Sequence, residues 1–343
     1  MKIVVAIIIF SLIIIFHELG HFSVAKANGI CVLEFSLGLG PTIFGVTKGE
    51  TKYSLKLLPF GGACMMLGED ESSEDERAFG NKSVWARMAV VFAGPFFNFI
   101  LALVLSMVII GCVGYDAPVI AGVSEGFPAE EAGMQAGDKI TKLGNETIHI
   151  YREITMYSLT HSEQSTVDVT YERDGQKHTV TLTTKQGEDG RYMLGIIGSG
   201  GRVRANAWEV VKYSVFEVKY WIVTTIKSLK MMVTGRVSMN DVSGPVGIVN
   251  TIGDTYEQSK TDGWYYVFLN MMNISILLTA NLGVMNLLPI PALDGGRLVF
   301  LIIEAIRGKK VDQEKEGFVH MIGLFILLAL MVLIMANDIR KLF

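Results

Sequence analysis

Apolar residues gather into four long runs along this chain of 343 residues. The runs occupy residues 3–25, 88–113, about 264–288 and 319–336, and the last is near the lower length limit for a membrane-crossing helix. A more polar stretch separates the second run from the third. The pattern predicts a polytopic α-helical membrane protein with four transmembrane helices and a water-soluble insert.

The insert, from about residue 115 to 200, shows the alternation of apolar and polar residues that is typical of strands. Residues 167–171 and 178–182 alternate in this way, and Asp174-Gly175 between them favours a hairpin turn. The opening run, residues 119–140, resembles PDZ domains through its Pro-Ala-Glu-Glu-Ala-Gly segment and its Gly-Asp turn. We therefore expect one small β-rich, PDZ-like domain, which either binds an extended peptide by strand addition or restricts access by its bulk.

A helical pattern follows the insert, with apolar residues at steps of three and four and lysines between them. The apolar positions are Trp208, Val211, Val215, Val218, Ile222, Ile226, Leu229 and Val233, and the lysines are Lys212, Lys219, Lys227 and Lys230. This pattern favours an amphipathic helix on the membrane surface, and the alternative is a helix packed on the soluble domain. Residues 243–248 then end the helix before the third run.

Composition agrees with a membrane protein. Hydrophobic residues make up 50% of the chain and charged residues 19%, and the mean hydropathy is +0.40. The net charge of −4 gives no sign of nucleic-acid binding. Three cysteines are too few for a disulfide framework. The first apolar run has no small-residue cleavage site, so we expect it to be retained as a transmembrane helix.

The first run also contains the sequence His17-Glu18-Leu19-Gly20-His21. Residues four apart share one face of a helix, so both imidazoles can bind one metal ion while Glu18 stays beside it. Glu18 can then take a proton from a metal-bound water. Ionisable groups are costly at membrane depth, so three of them in one turn predict a hydrolytic zinc site inside the bilayer.

A catalytic zinc site needs a third protein ligand, and Asp294 is the candidate. It follows the third run in a segment opened by Pro289, Pro291 and two glycines. If the second helix returns across the membrane, the first and third run in the same direction, and the histidines and Asp294 lie near their downstream ends. The alternative role for Asp294, as N-cap of a helix over residues 295–306, is compatible with metal binding. His161 and His320 have no companion at ligand spacing and stay unassigned.

Two classes of protein other than a zinc hydrolase could place such residues in a membrane. A metal transporter would not need Glu18 beside His17 and would offer ligands from repeated halves, which this sequence lacks. A catalytically silent adaptor would tolerate the loss of Glu18, whereas every expected catalytic group is present.

Four features stand out together in this sequence. They are His17-Glu18-x-x-His21, residues 92–98 (Phe-Ala-Gly-Pro-Phe-Phe-Asn), the single PDZ-like insert, and residues 286–296 (Asn-Leu-Leu-Pro-Ile-Pro-Ala-Leu-Asp-Gly-Gly). Through them the chain resembles, over nearly its full length, the bacterial site-2 proteases of the RseP type, which are intramembrane zinc metalloproteases. These four features occur in the order that the family shows.

The resemblance implies that His17, His21 and Asp294 bind Zn²⁺ and that Glu18 is the general base of a zinc metalloendopeptidase. It implies that Asn286 assists substrate or oxyanion binding, although a helix-to-helix hydrogen bond is an alternative. The substrates would be single-span membrane proteins such as anti-sigma factors, or remnant signal peptides, cleaved in a bacterial cytoplasmic membrane. The active site would lie near the cytoplasmic side and the insert outside. The lysines and arginines of residues 26–87 and 307–315 favour the same orientation.

The loop after the first helix shows strand-like alternation at residues 52–57, followed by a predicted turn at Phe60-Gly61-Gly62. A protease needs an extended substrate backbone, so an exposed β edge here could hold an unwound helix, and a structural hairpin that covers the site is the alternative. The acidic run at residues 69–76 is expected to be a solvated loop.

The expected organisation has eight parts. They are transmembrane helix 1 (1–27), a cytoplasmic or membrane-associated β-hairpin loop (28–84), transmembrane helix 2 (85–113), the PDZ-like domain (114–201), an amphipathic surface helix with connector (202–262), transmembrane helix 3 with the Asp294 segment (263–306), a cytoplasmic loop (307–317) and transmembrane helix 4 (318–337).

Overall fold

The computed structural model describes residues 2–69, 71, 73–161, 163–187, 192–236 and 243–341. Asp70, part of the predicted acidic run, lies outside the described residues. The chain forms two compact units, one of Met1–Ala102 with Leu229–Phe343 and one of Leu103–Ser228. We call them the membrane unit and the insert unit.

Long helices dominate the membrane unit. The α-helices of the described residues are α1 Lys2–Ala27, α2 Val84–Val113, α3 Pro128–Glu131, α4 Tyr151–Thr160, α5 Ala207–Val233, α6 Pro245–Asp262, α7 Trp264–Asn286, α8 Asp294–Arg307 and α9 Gln313–Arg340. Among the described residues, α1, α2, α7 and α9 are long and apolar enough to cross a bilayer. The prediction of four transmembrane helices is confirmed.

The segment predicted as the third transmembrane helix with its Asp294 extension consists of two helices. Helix α7 ends at Asn286, and α8 begins at Asp294. Pro289 and Pro291 between them have no N–H for a helical hydrogen bond, and Ala292 adopts a left-handed backbone with φ +75°. The chain therefore leaves the helical path for one short loop and resumes it at Asp294.

Two long strands, β1 Val32–Lys48 and β2 Thr51–Met66, follow α1. Each bends, so that they form four extended segments in the order 62–66, 32–37, 51–58 and 42–48. Residues 34–37 pair with 62–65 on one side and with 52–55 on the other. Segment 62–66 is therefore at one edge of this small sheet.

The turn predicted at Phe60-Gly61-Gly62 is confirmed. Residues 52–55 run parallel to 34–37, whereas residues 62–65 run antiparallel to them, so the chain reverses within β2 between residues 55 and 62. Gly61 in this turn has a φ of +87°, which glycine adopts without a steric penalty. Another reversal lies at Gly49-Glu50, between the paired residues Lys48 and Thr51.

Helix α6 begins at a carboxylate from a distant part of the chain. The backbone N–H groups of Gly244 and Gly247 donate to the two oxygens of Asp338 on α9, at 3.0 and 2.8 Å. Asp338 is 3% exposed. A carboxylate at this position satisfies the free N–H groups of the first turn and interacts favourably with the helix dipole.

The insert unit is rich in short strands. They are β3 Tyr115–Asp116, β4 Ile120–Val123, β5 Lys139–Leu143, β6 Glu146–Thr147, β7 Thr166–Arg173, β8 Gln176–Thr183, β9 Lys185–Gln186, β10 Tyr192–Met193, β11 Ile196–Ser199 and β12 Arg202–Val203. One sheet has the order β6-β5-β7-β8, and β4 pairs with β11. The predicted hairpin at Asp174-Gly175 is present, with Arg173 paired to Gln176.

The Gly-Asp turn of the insert ends in a buried ion pair. Asp138 is 1% exposed, and its two oxygens accept hydrogen bonds from Arg173 Nε and Nη2, both at 2.6 Å. Burial alone raises the pKa of this carboxyl, but the hydrogen bonds from Arg173 and from the Gln135 N–H outweigh burial and hold it below its usual range. The pair fixes the turn against β7.

Helix α5 has two different faces. On one face Tyr213 stacks on Tyr115 with ring centroids 3.5 Å apart, and Glu217 pairs with Arg152 of α4. On the opposite face Trp208 and Val233 are exposed by 73% and 84%. One face therefore packs on the insert. Of the apolar stripe that suggested a membrane surface, Val218 is buried, whereas Trp208, Val211, Val215, Ile226 and Val233 are exposed.

Candidate metal and catalytic site

The three predicted metal ligands meet at one point. His17 and His21 lie one turn apart on α1, both are buried, and their Nε2 atoms are 3.3 Å apart. Asp294, the first residue of α8, places Oδ2 3.3 Å from Nε2 of His17 and 3.6 Å from Nε2 of His21. Within the described residues, this is the group of His, Cys, Asp and Glu side chains whose ligand atoms converge closely enough for a metal ion.

The triangle of ligand atoms has the size that zinc requires. A tetrahedral zinc ion with ligands at about 2.0–2.1 Å separates neighbouring ligand atoms by about 3.3–3.4 Å. The three observed separations are 3.3, 3.3 and 3.6 Å. Oδ2 of Asp294 is also buried without a hydrogen bond to any described residue. The donor set fits a tetrahedral zinc ion with one position left open.

The orientation of His21 is set by its other ring nitrogen. Nδ1 of His21 lies 2.8 Å from the carbonyl oxygen of Val90 on α2. A carbonyl only accepts, so Nδ1 carries the proton and donates, and Nε2 of the neutral ring keeps its lone pair. That lone pair faces the Asp294 carboxylate, an arrangement that a cation between them stabilises.

Helix α2 gives the two rings room through Gly94. A Cβ atom on Gly94 would lie 2.3 Å from Nε2 of His21 and 2.8 Å from Cε1 of His17. Gly20 brings the helices together, because its own Cβ would lie 2.3 Å from the carbonyl oxygen of Ala93. The two imidazole rings therefore pack directly against the α2 backbone at Gly94, which is a structural reason for the glycine in residues 92–98.

The loop before α8 is held in a strained form. The N–H of Ala292, the residue with φ +75°, donates to Nδ1 of His320 on α9 at 2.9 Å. Gly295 lies against the carbonyls of Leu287 and Leu288, where a Cβ atom would come within 2.1 Å of an oxygen. These contacts fix the path of the chain into Asp294.

Two interpretations of the sequence change here. The alternative role of Asp294 as an N-cap is wrong, because Leu293 occupies the N-cap position without a side-chain hydrogen bond and Asp294 is the first helical residue. His320, left unassigned, supports the Asp294 loop, and nothing in its local sequence predicted this contact across 28 residues. His161 lies in the insert unit, stacked on Tyr157.

Glu18 and Asn286 border the metal triangle. Nδ2 of Asn286, the last residue of α7, is 3.4 Å from Nε2 of His17. The Glu18 carboxylate accepts a hydrogen bond from the backbone N–H of Cys64, and its Cγ lies next to Gly62. Strand segment 62–66 therefore runs directly past Glu18.

A cavity of about 730 Å³ opens at these groups. Its lining includes His17, Glu18, His21 and Asp294 together with Lys310 and Gln313. The ion pairs Arg87 with Glu304 and Arg297 with Glu69 also border it. The cavity gives water and an extended chain room to reach a site within helices of membrane-crossing length.

The chain is similar to known proteins over nearly its whole length. The sequence profile of peptidase family M50 matches residues 5–330. A putative zinc metalloprotease of Clostridium acetobutylicum is 38% identical over 338 residues, 98% of this chain and 97% of that protein. One of Fusobacterium nucleatum is 35% identical over 347 residues, the full length of both. The regulator of sigma-W protease RasP of Bacillus subtilis is 31% identical over 422 residues, 98% of each chain.

Solved structures match part of the chain. The PDZ domain of an SdrC-like protein from Listeria monocytogenes is 22% identical, with a TM-score of 0.22, and the match covers 24% of this chain and 86% of that domain.

Proposed function

The chain belongs to peptidase family M50, and on this premise we propose that it is a zinc metalloprotease that cuts single-span membrane proteins within or next to their transmembrane segments. The observation that carries the proposal is the triangle of His17, His21 and Asp294 beside Glu18, with both histidines and Glu18 on α1, a helix of membrane-crossing length. Anti-sigma factors fit this substrate class, and one relative is named a regulator of sigma-W protease. Remnant signal peptides are also single apolar spans and fit the same substrate class.

The residues divide the reaction between them. His17, His21 and Asp294 would hold zinc, which would polarise the scissile carbonyl and make water a stronger nucleophile. Glu18 accepts the proton that the attacking water loses and delivers it to the nitrogen of the leaving amine. The Asn286 amide, 3.4 Å from His17, is placed to donate to the oxygen of the carbonyl as charge develops there. No covalent enzyme intermediate is required.

Chelation tests the function as a whole. Removing zinc from the purified, detergent-solubilised protein should abolish cleavage of a single-span substrate, and one equivalent of Zn²⁺ should restore it. The reason is that His17, His21 and Asp294 cannot polarise the scissile carbonyl without a metal ion. Zinc content and cleavage are measured on the same samples, with Mg²⁺ added back as the control. A protein that binds one zinc but cuts no single-span substrate, or that cuts equally well without zinc, would contradict the proposal.

The edge of the small sheet is the proposed binding place of the substrate backbone. Segment 62–66 pairs with β1 on one side only, and its Cys64 N–H points towards Glu18. A substrate that has unwound from its helix needs partners for its N–H and C=O groups. The outer edge of segment 62–66 would provide them once its Cys64 and Met66 N–H groups exchange the Glu18 and Glu69 carboxylates for substrate carbonyls. This position also places the scissile bond beside the general base.

Alternate N-methylation tests this strand addition. We expect peptide inhibitors that span the cleavage site to lose affinity, by about tenfold or more, when methylated at every second nitrogen and to keep affinity when methylated at the nitrogens between, since a strand bonds its neighbour at alternate residues. Equal losses at successive nitrogens would indicate that the hairpin only covers the site.

We place the metal site near the cytoplasmic side and the insert outside, in a bacterial cytoplasmic membrane. Aromatic residues that favour the interface, Trp85 at the start of α2 and Trp264 at the start of α7, are exposed by 70% and 68%. Lysines and arginines gather in the loops after α1 and before α9.

Cys112 is a native probe of this orientation. It is exposed at the last turn of α2, whereas Cys31 and Cys64 are buried. A membrane-impermeant maleimide should label intact cells that carry the wild-type chain and should not label Cys112→Ser. Labelling that appears only after the cells are opened would reverse the proposed orientation.

A further inference from the structure

Asn98 on α2 is buried completely and lies directly against a metal ligand. Its side-chain amide nitrogen is 3.2 Å from Nδ1 of His17, and its Oδ1 makes no hydrogen bond to any described residue. A buried carboxamide oxygen without a partner is costly. The contact with the His17 imidazole is therefore the interaction that can account for a buried asparagine at this position.

The proton positions of His17 decide which end of the amide faces it. Nε2 of His17 points into the triangle with His21 and Asp294, so its lone pair must face the metal and the ring proton must lie on Nδ1. An amide nitrogen opposite that proton would set two donors against each other. The two ends of a carboxamide have nearly the same shape, so a half-turn brings Oδ1 to Nδ1 and gives the ring proton and the amide oxygen a partner in each other.

We propose that Asn98 is a positioning residue whose side-chain oxygen accepts the Nδ1 proton of His17 and so aims Nε2 of that ring at the metal. Val90, eight residues earlier on α2, does the same for His21 with its backbone carbonyl. One helix thus fixes both imidazoles, from the side opposite Asp294. The inference rests on the proposed zinc site and adds to it the group that sets the tautomer of His17.

A second contact holds Asn98 in place without touching His17. The Thr279 hydroxyl of α7 donates to the backbone carbonyl of Asn98 at 3.2 Å, and Thr279 is fully buried. Loss of this hydroxyl would weaken packing between α2 and α7 while leaving the proposed acceptor intact. Thr279→Val is therefore a matched control for a merely structural role.

The test compares zinc affinity in Asn98→Leu, Asn98→Asp and Thr279→Val, measured by competition with a chromophoric chelator in detergent, together with the visible spectrum of the Co²⁺-loaded proteins. Loss of an outer partner of a metal-bound histidine lowers metal affinity by about 10–100-fold. We expect that loss and an altered Co²⁺ spectrum in Asn98→Leu. Asn98→Asp keeps an acceptor and should stay within about threefold of wild type, or bind more tightly. Thr279→Val should keep both affinity and spectrum.

Each departure from this pattern overturns the inference. Wild-type affinity in Asn98→Leu would show that His17 needs no acceptor. A tenfold loss in Asn98→Asp would show that Asn98 acts through its N–H groups, and this variant decides the question if Asn98→Leu does not fold. An equal loss of zinc affinity in Thr279→Val would show that Asn98 contributes only to the packing of α2 against α7. A wild-type protein that binds no zinc would instead refute the proposed function itself.

Discussion

Replacing Gly94 with alanine is expected to abolish zinc binding and proteolysis together. The new methyl group would lie 2.3 Å from Nε2 of His21 and 2.8 Å from Cε1 of His17, so both ligand rings must move. A displacement of this size breaks a ligand set whose distances must hold to within about 0.2 Å. We expect the bound zinc to fall from one equivalent to a small fraction and cleavage to fall with it.

A second glycine on the same helix separates this prediction from a general effect of adding a methyl group. Within a helix, glycine to alanine ordinarily stabilises by about 0.5–1 kcal/mol. Gly111→Ala on the same helix is the control, because no atom lies within 4 Å of its added Cβ. That control should keep full zinc and activity. A Gly94→Ala protein with one tightly bound zinc would show that the rings are not confined as described.

Glu18→Gln is expected to keep its zinc and lose nearly all cleavage. Glutamine has the size of glutamate and can accept a hydrogen bond from the Cys64 N–H, but it cannot take a proton from water. General bases contribute about 10²–10⁴-fold to a rate, so kcat should fall by that factor with little change in KM. Single-turnover cleavage and zinc content are the measurements.

Two further variants complete that experiment. Glu257→Gln makes the same chemical change at an exposed position on α6 and should behave as wild type. Asp294→Ala removes a proposed ligand and should lose zinc and cleavage at once. If Glu18→Gln still cuts at the wild-type rate, the general base is another group. If it loses zinc, Glu18 belongs to the ligand set.

The parts of the site that were predictable from sequence are those whose geometry is local. His17, Glu18 and His21 share one helical turn, so their spacing alone places them together. Asp294 could be matched to them by the direction of the helices and by the break around Pro289 and Pro291. The alternation of polar and apolar residues at 52–57 also predicts a strand between the first two long helices.

The parts that escaped prediction depend on packing between distant segments. Asn98 meets His17 across 81 residues and His320 meets Ala292 across 28. Asn98 ends the segment 92–98 that carries part of the resemblance, but neither residue stands at a spacing that indicates its partner. The turn expected at Phe60-Gly61-Gly62 is present, but the return of segment 62–66 to pair with residues 34–37 could not be predicted, because strand order depends on contacts between segments that are separated in the sequence.

The carboxylate of Asp338 at the start of α6 has a consequence for the order in which the molecule can be assembled. Gly244 and Asp338 are 94 residues apart, so the ribosome makes α6 well before the side chain that satisfies its first N–H groups. Until α9 has been inserted, the beginning of α6 lacks its partner and the helix is free to fray. The region around α6 therefore reaches its final form only after the last of the described helices is in place.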